Sequence, residues 1–72
     1  MELKTARRIA QINQKELADQ AGVDDSTISL LENGKRDYRT TAYEIIVRIS
    51  RALHVEPQEL FPIDMNDEQR VA

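Results

Sequence analysis

Apolar positions along this chain recur every three or four residues and almost never every second one, a pattern that predicts helices rather than strands. Leu3, Ala6, Ile9 and Ala10 form a first stripe, broken near Gln11-Ile12-Asn13. Asn13 suits an N-cap, and Glu16, three residues on, suits the reciprocal side of a capping box. The second helix then carries Leu17, Ala18 and Ala21 inward and ends at Gly22, a residue that enters the left-handed conformation at little cost. Asp24 is the expected cap of a third helix through Ile28 and Leu31, which stops at Asn33-Gly34. A polar loop runs from Lys35 to about Arg39. The fourth helix is expected from Thr40 or Thr41, with Ile45, Ile46, Ile49, Ala52 and Leu53 on one face. Pro57 opens a short fifth helix with Leu60 and Phe61, and Pro62 stops it.

The segment Gln14–Asn33 meets the demands of a helix-turn-helix, in which two short helices cross steeply over a tight turn. Ala18 is small where the second helix crosses the first. Gly22 allows the turn, Val23 follows as a buried apolar residue, and Ile28 and Leu31 give the second helix its inner face. Each residue alone also suits an ordinary helical hairpin; their combination, followed by a basic loop, favours the motif. The expected core is Leu3, Ala6, Leu17, Ala18, Val23, Ile28, Leu31, Ile45, Ile49, Leu53, Val55 and Leu60.

With 72 residues, the chain has room for one domain. Residues 1–63 are its expected extent, with 64–72 a flexible acidic tail. The net charge of −3 is unevenly placed: residues 56–72 hold five acids against Arg70, whereas residues 1–55 hold nine Lys/Arg against eight acids. Lys35, Arg36 and Arg39 cluster in the middle. Cysteine is absent, so neither disulfides nor thiolate metal sites are expected. The lone His54 cannot build a metal site, and its expected role is to end the fourth helix. No nucleophile–base pair or Gly-rich phosphate loop points to catalysis, and no cofactor, catalytic residue or metal ligand is expected. The N-terminus lacks the apolar stretch of a signal peptide, and no apolar run approaches the ~20 residues needed to span a bilayer. A cytoplasmic protein with no membrane partner is the expectation.

The ordered segments NQKELADQAGV (Asn13–Val23), STIS (Ser26–Ser29), ENGKR (Glu32–Arg36) and ISRALHVEPQELF (Ile49–Phe61) resemble the phage repressor and Cro group, the Xre-type helix-turn-helix domains. The resemblance covers about residues 3–61. It implies an all-α, five-helix, lambda-repressor-like DNA-binding domain. It also implies that helices two and three read DNA, and that the protein binds as a two-fold dimer on a near-palindromic operator. Gln14 would then bond a phosphate from the start of helix two, where free N–H groups favour anions. Asn33, Lys35, Arg36 and Arg39 would hold further phosphates, which fixes orientation rather than sequence preference. Base reading would fall to Asp25, Ser26, Thr27, Ser29 and Leu30: hydroxyls for several base edges, a carboxylate for cytosine N4–H, and Leu30 for a thymine methyl. Asp25 suits equally a first-turn partner of the helix dipole. Arg7 and Glu32 match a pair that such relatives join by a salt bridge.

The chain departs from these relatives at five places. Gln11 stands where they usually have Gly, and His54 where they often have Gly or Asn. Asp25 and Leu30 stand where many carry Gln, Arg or Lys. The stretch 37–41 is longer than the common form. Phe61, Ile63 and Met65 exceed the needs of one small core and are candidates for a dimer surface.

Two functions therefore stay open. One is a sequence-specific transcriptional regulator, most simply a repressor from a phage, plasmid or bacterial genome, acting as a homodimer on double-stranded operator DNA without a small-molecule effector. The other is an antitoxin-like or adaptor module on the same fold, favoured by the adjacent acids Asp24 and Asp25.

Overall fold

The computed structural model describes residues 1–61. In chain order it has α1 (Leu3–Ile9), α2 (Gln14–Ala21), α3 (Asp25–Glu32), a 3-10 turn (Tyr38–Thr40), α4 (Tyr43–Ala52) and α5 (Pro57–Leu60). The described residues form no strand, and the fold is all-α as expected. The tail 64–72, Ile63 and Met65 lie outside the described residues.

Local chemistry explains where these helices begin. The Asn13 side chain accepts from the Glu16 N–H at 2.8 Å, and the Glu16 carboxylate accepts from the Asn13 N–H at 2.9 Å, the reciprocal box that satisfies two orphan donors. Pro57 occupies the first turn of α5, where a missing N–H costs nothing. Asp24 precedes α3 in extended geometry, but its carboxylate makes no capping bond, contrary to expectation. Its backbone carbonyl alone accepts, from the Thr27 N–H.

One device ends the four longer helices. Gln11, Gly22, Gly34 and His54 each adopt a positive φ, between 59° and 72°. In each case the residue after the left-handed one donates its N–H five positions back: Ile12 to Arg7, Val23 to Ala18, Lys35 to Leu30 and Val55 to Ser50. This is the Schellman arrangement, and it normally folds an apolar side chain back over the helix end. Ile12, Val23 and Val55 do so, packing half-buried against the core. The fourth position is Lys35, and it is exposed.

The helix α2 packs against both α3 and α4, and it buries Leu17, Ala18 and Ala21 between them. With Leu3, Ala6, Ile28, Ile46, Ile49, Leu53, Leu60 and Phe61 these residues form the core. Val23, Leu31, Ile45 and Val55, expected inside, are half-buried at its margin. In α4 the buried stripe is Ile46, Ile49, Ser50 and Leu53, spaced 3, 4 and 7 apart, so Ile45 falls beside it. Ser50 is wholly buried, and its hydroxyl donates to the Ile46 carbonyl at 2.8 Å. Ile9 is exposed because α1 stops there and the left-handed Gln11 brings Ile12 back to the core in its place.

Two further expectations are corrected. The segment from Tyr38 is not plain loop: Asp37 caps a 3-10 turn, its side chain accepting from the Arg39 N–H at 2.8 Å. Nor do Thr40 and Thr41 start α4. Both hydroxyls donate to the Asp37 carbonyl at 3.0 Å, and Thr41 is buried there, so α4 begins later, at Tyr43. Phe61 is buried in its own core, with its ring centroid 5.6 Å from that of Tyr38, and offers no surface to a second copy.

Candidate nucleic-acid interface

Two elements determine how α3 is presented. On its inner side Ile28 is wholly buried. At its C-terminal end Glu32 is tied to α1 and α2. The Arg7 guanidinium donates from Nε to Glu32 Oε2 at 2.6 Å and from Nη2 to Oε1 at 3.1 Å, and Gln14 Nε2 donates to Oε1 at 3.1 Å. A further Arg7 nitrogen donates to the Ile12 carbonyl at 2.9 Å, pinning the turn between α1 and α2. The Arg7–Glu32 pair foreseen from the sequence is therefore present, and it includes Gln14, which was not foreseen.

Electrostatics at Glu32 are a contest. Burial pushes its carboxyl pKa up. Hydrogen bonds from Arg7 and Gln14 and the positive charges of Arg7 and Lys4 outweigh that, and the group sits below its ordinary value. Arg7 is raised in turn, chiefly by its hydrogen bond to Glu32. The pair is ionised throughout the physiological range.

The outer side of α3 carries the candidates for base reading. Asp25, Ser26 and Leu30 are exposed, and Ser29 is half-buried with its hydroxyl accepting from Asn33 Nδ2 at 3.4 Å. Thr27 is different. It is only 8% exposed, on the inward side of the helix next to Ile28, and the expectation that it faces outward is corrected. Ser and Thr look alike in a polar run; helix rotation separates them, because Ser26 and Leu30 are one turn apart and Thr27 is turned about 100° from Ser26.

The candidates for phosphate contact divide into free and engaged groups. The side chains of Lys35 and Arg36 make no hydrogen bond or ion pair among the described residues, although both backbone N–H groups donate to the Leu30 carbonyl; Lys35 is exposed and Arg36 half-buried. Asn33 is exposed at the end of α3. Gln14 is half-buried and committed through one amide hydrogen to Glu32, so its second hydrogen and its oxygen remain for an external partner. Arg39 is exposed, with its Nε 3.4 Å from Asp37 Oδ1 and its Cζ 5.9 Å from the Tyr38 ring centroid. Four of these five residues lie within 33–39 of the chain, and Gln14 stands apart at the start of α2, brought to the end of α3 by its bond to Glu32. The structure attaches them to one end of α3 and to the turn after it.

Comparison with known proteins agrees with this architecture. The model of the helix-turn-helix family matches residues 3–60. No curated protein and no solved structure matches the chain. The chain belongs to the Xre-type helix-turn-helix family found in phage repressors and Cro, a DNA-binding family. No helix among the described residues is long and apolar enough to cross a membrane.

Proposed function

We propose that this protein is a sequence-specific transcriptional regulator, acting as a repressor, that inserts α3 into the major groove of an operator. The observation that carries this reading is the outward strip Asp25, Ser26 and Leu30, exposed on a helix whose opposite side is buried and whose far end leads to Lys35, a cation whose side chain has no partner among the described residues. Asp25, Ser26, Ser29 and Leu30 read base edges; Thr27, being buried, supports the helix instead. Gln14, Asn33, Lys35, Arg36 and Arg39 hold phosphates beside the C-terminal end of α3. The protein binds as a homodimer on a near-palindromic site, because a single domain of this size offers few contacts for tight operator binding. Its site of action is the cytoplasm of a prokaryotic cell, and it is controlled by its own concentration rather than by a small-molecule effector.

Selection of bound sites from a random DNA pool, followed by isotherms on the selected and scrambled duplexes across salt, tests this. A near-palindromic consensus, bound at least about 10³-fold more tightly than scrambled DNA, is the expected result. Failure to bind any duplex at low salt would sink it. The second reading, an antitoxin-like or adaptor module, is favoured by one observation: Asp24 and Asp25 are both exposed at the start of α3, where each repels phosphate, and Asp24 makes no capping bond that would account for it. That reading expects no DNA binding at low salt.

A further inference from the structure

The turn Tyr38–Thr40 holds an arginine against a carboxylate of the same turn. Asp37 Oδ1 accepts twice from Arg39, from its backbone N–H at 2.8 Å and from its side-chain Nε at 3.4 Å. The Asp37 carbonyl meanwhile accepts from the hydroxyls of Thr40 and Thr41, so the residue is fixed by the turn it caps. The guanidinium carbon lies 5.9 Å from the Tyr38 ring centroid. Arg39 is thereby folded back over its own turn, whereas Lys35 and Arg36 have no such partner among the described residues.

We infer that Asp37 is an internal counter-ion that sets the strength of DNA binding: it occupies Arg39 in the free protein, and a phosphate must displace it. The inference rests on the phosphate role proposed for Arg39. Its physical basis is charge. The pair is neutral as seen from a distance, so Arg39 adds nothing to the long-range attraction of the duplex and releases no counterion until Asp37 lets go. The Asp37 carboxyl is held below its ordinary value, chiefly by the hydrogen bond from the Arg39 backbone, so its negative charge persists at neutral pH. The pair is exposed, with side chains 74% and 45% accessible, which makes it weak enough for a phosphate to win. Asp37 therefore tunes affinity downward without touching sequence preference.

The test is Asp37→Asn, which keeps an oxygen to cap the turn and removes the charge. Asp37→Ser, which also offers a capping oxygen, serves if the asparagine variant melts lower than the parent. Either is measured alone and with Arg39→Ala, on selected and scrambled duplexes across salt. The expected result is binding about 2–5-fold tighter on both duplexes. The salt slope steepens by up to about 0.9 per protomer, and both gains vanish in the Arg39→Ala background. Equal gains in both backgrounds would make Asp37 a nearby repulsive charge and overturn the inference. Weaker binding with an unchanged melting midpoint would make it a support for Arg39 and also overturn it. If Arg39→Ala has no effect in either background while Lys35→Ala weakens binding, Arg39 does not hold phosphate; the inference then falls and the DNA-binding reading stands.

Discussion

Arg7 and Glu32 lie 25 positions apart in the chain, and their side chains meet in a two-pronged ion pair whose carboxylate is only 1% exposed. This pair fastens the end of α3 to α1. Removing the arginine strands a buried carboxylate, so Arg7→Ala should lower unfolding free energy by about 3–5 kcal/mol. Arg7→Lys, which cannot reproduce the fork, should fall between. Joint replacement by Met and Leu should recover most of the loss, because buried ion pairs exchange well for packed apolar groups. Urea unfolding of the four proteins checks this; equal stability of Arg7→Ala and the parent would exclude it.

The same pair predicts a pH response. Glu32 titrates below its ordinary value in the folded protein, so folding is favoured above the unfolded carboxylate pKa, and this contribution is lost as pH falls through the folded one. In Arg7→Ala the burial that pushes the carboxyl up is no longer outweighed by Arg7, and protonation then relieves the buried charge. The gap in melting temperature between parent and variant should therefore shrink steadily from pH 7 toward pH 3. A constant gap would show that Glu32 does not titrate through the pair.

Gln11 and His54 hold left-handed backbones at φ 61° and 59° without being glycine. A side chain there costs roughly 1–2 kcal/mol, against which glycine loses roughly 0.5–1 through greater freedom in the unfolded chain. Gln11→Gly and His54→Gly should each raise stability by about 0.5–1 kcal/mol. Gly22→Ala should do the reverse, by about 1 kcal/mol, and for conformational reasons alone, since a Cβ at Gly22 would meet nothing within 4 Å. Thermal melts of the three single variants are sufficient to test this.

Burial of Phe61 assigns it to the fold. Phe61→Ala should cost about 3 kcal/mol and shift the unfolding midpoint, as loss of a buried aromatic ring does. A surface role would instead leave stability intact and alter sedimentation.

On α3, burial separates two neighbours. Thr27→Ala should change stability and leave base preference unaltered, whereas Ser26→Ala and Leu30→Ala should shift preference at one or two base pairs by roughly 1–3 kcal/mol each, with the salt slope unmoved. Asp25→Asn should strengthen binding to scrambled DNA by removing a charge beside the backbone. Isotherms on single-base operator variants discriminate these cases.

The sequence by itself determined several features that depend on residues three to five apart. The Asn13–Glu16 box, the left-handed Gly22, the prolyl start of α5 and the positions of helices one to three follow from side chains that reach only their own helix turn. Tertiary structure decided where the buried side of α3 and of α4 has its edge. Rotation of α4 against α2 chose Ile46 and the polar Ser50 over Ile45, and rotation of α3 placed Thr27 in and Leu30 out, at 38% exposure. Periodicity alone bounds such a face only to within about one residue, or about 100°. The link from Gln14 to Glu32, the buried Thr41 and the tilted packing of Phe61 against Tyr38 join residues 18, 4 and 23 positions apart. The first and last of these form only when separate elements pack. Thr41 is close in sequence, but its hydroxyl bond requires the 3-10 turn that Asp37 caps, a choice between loop and helix start that polar residues leave open until the neighbouring core is in place.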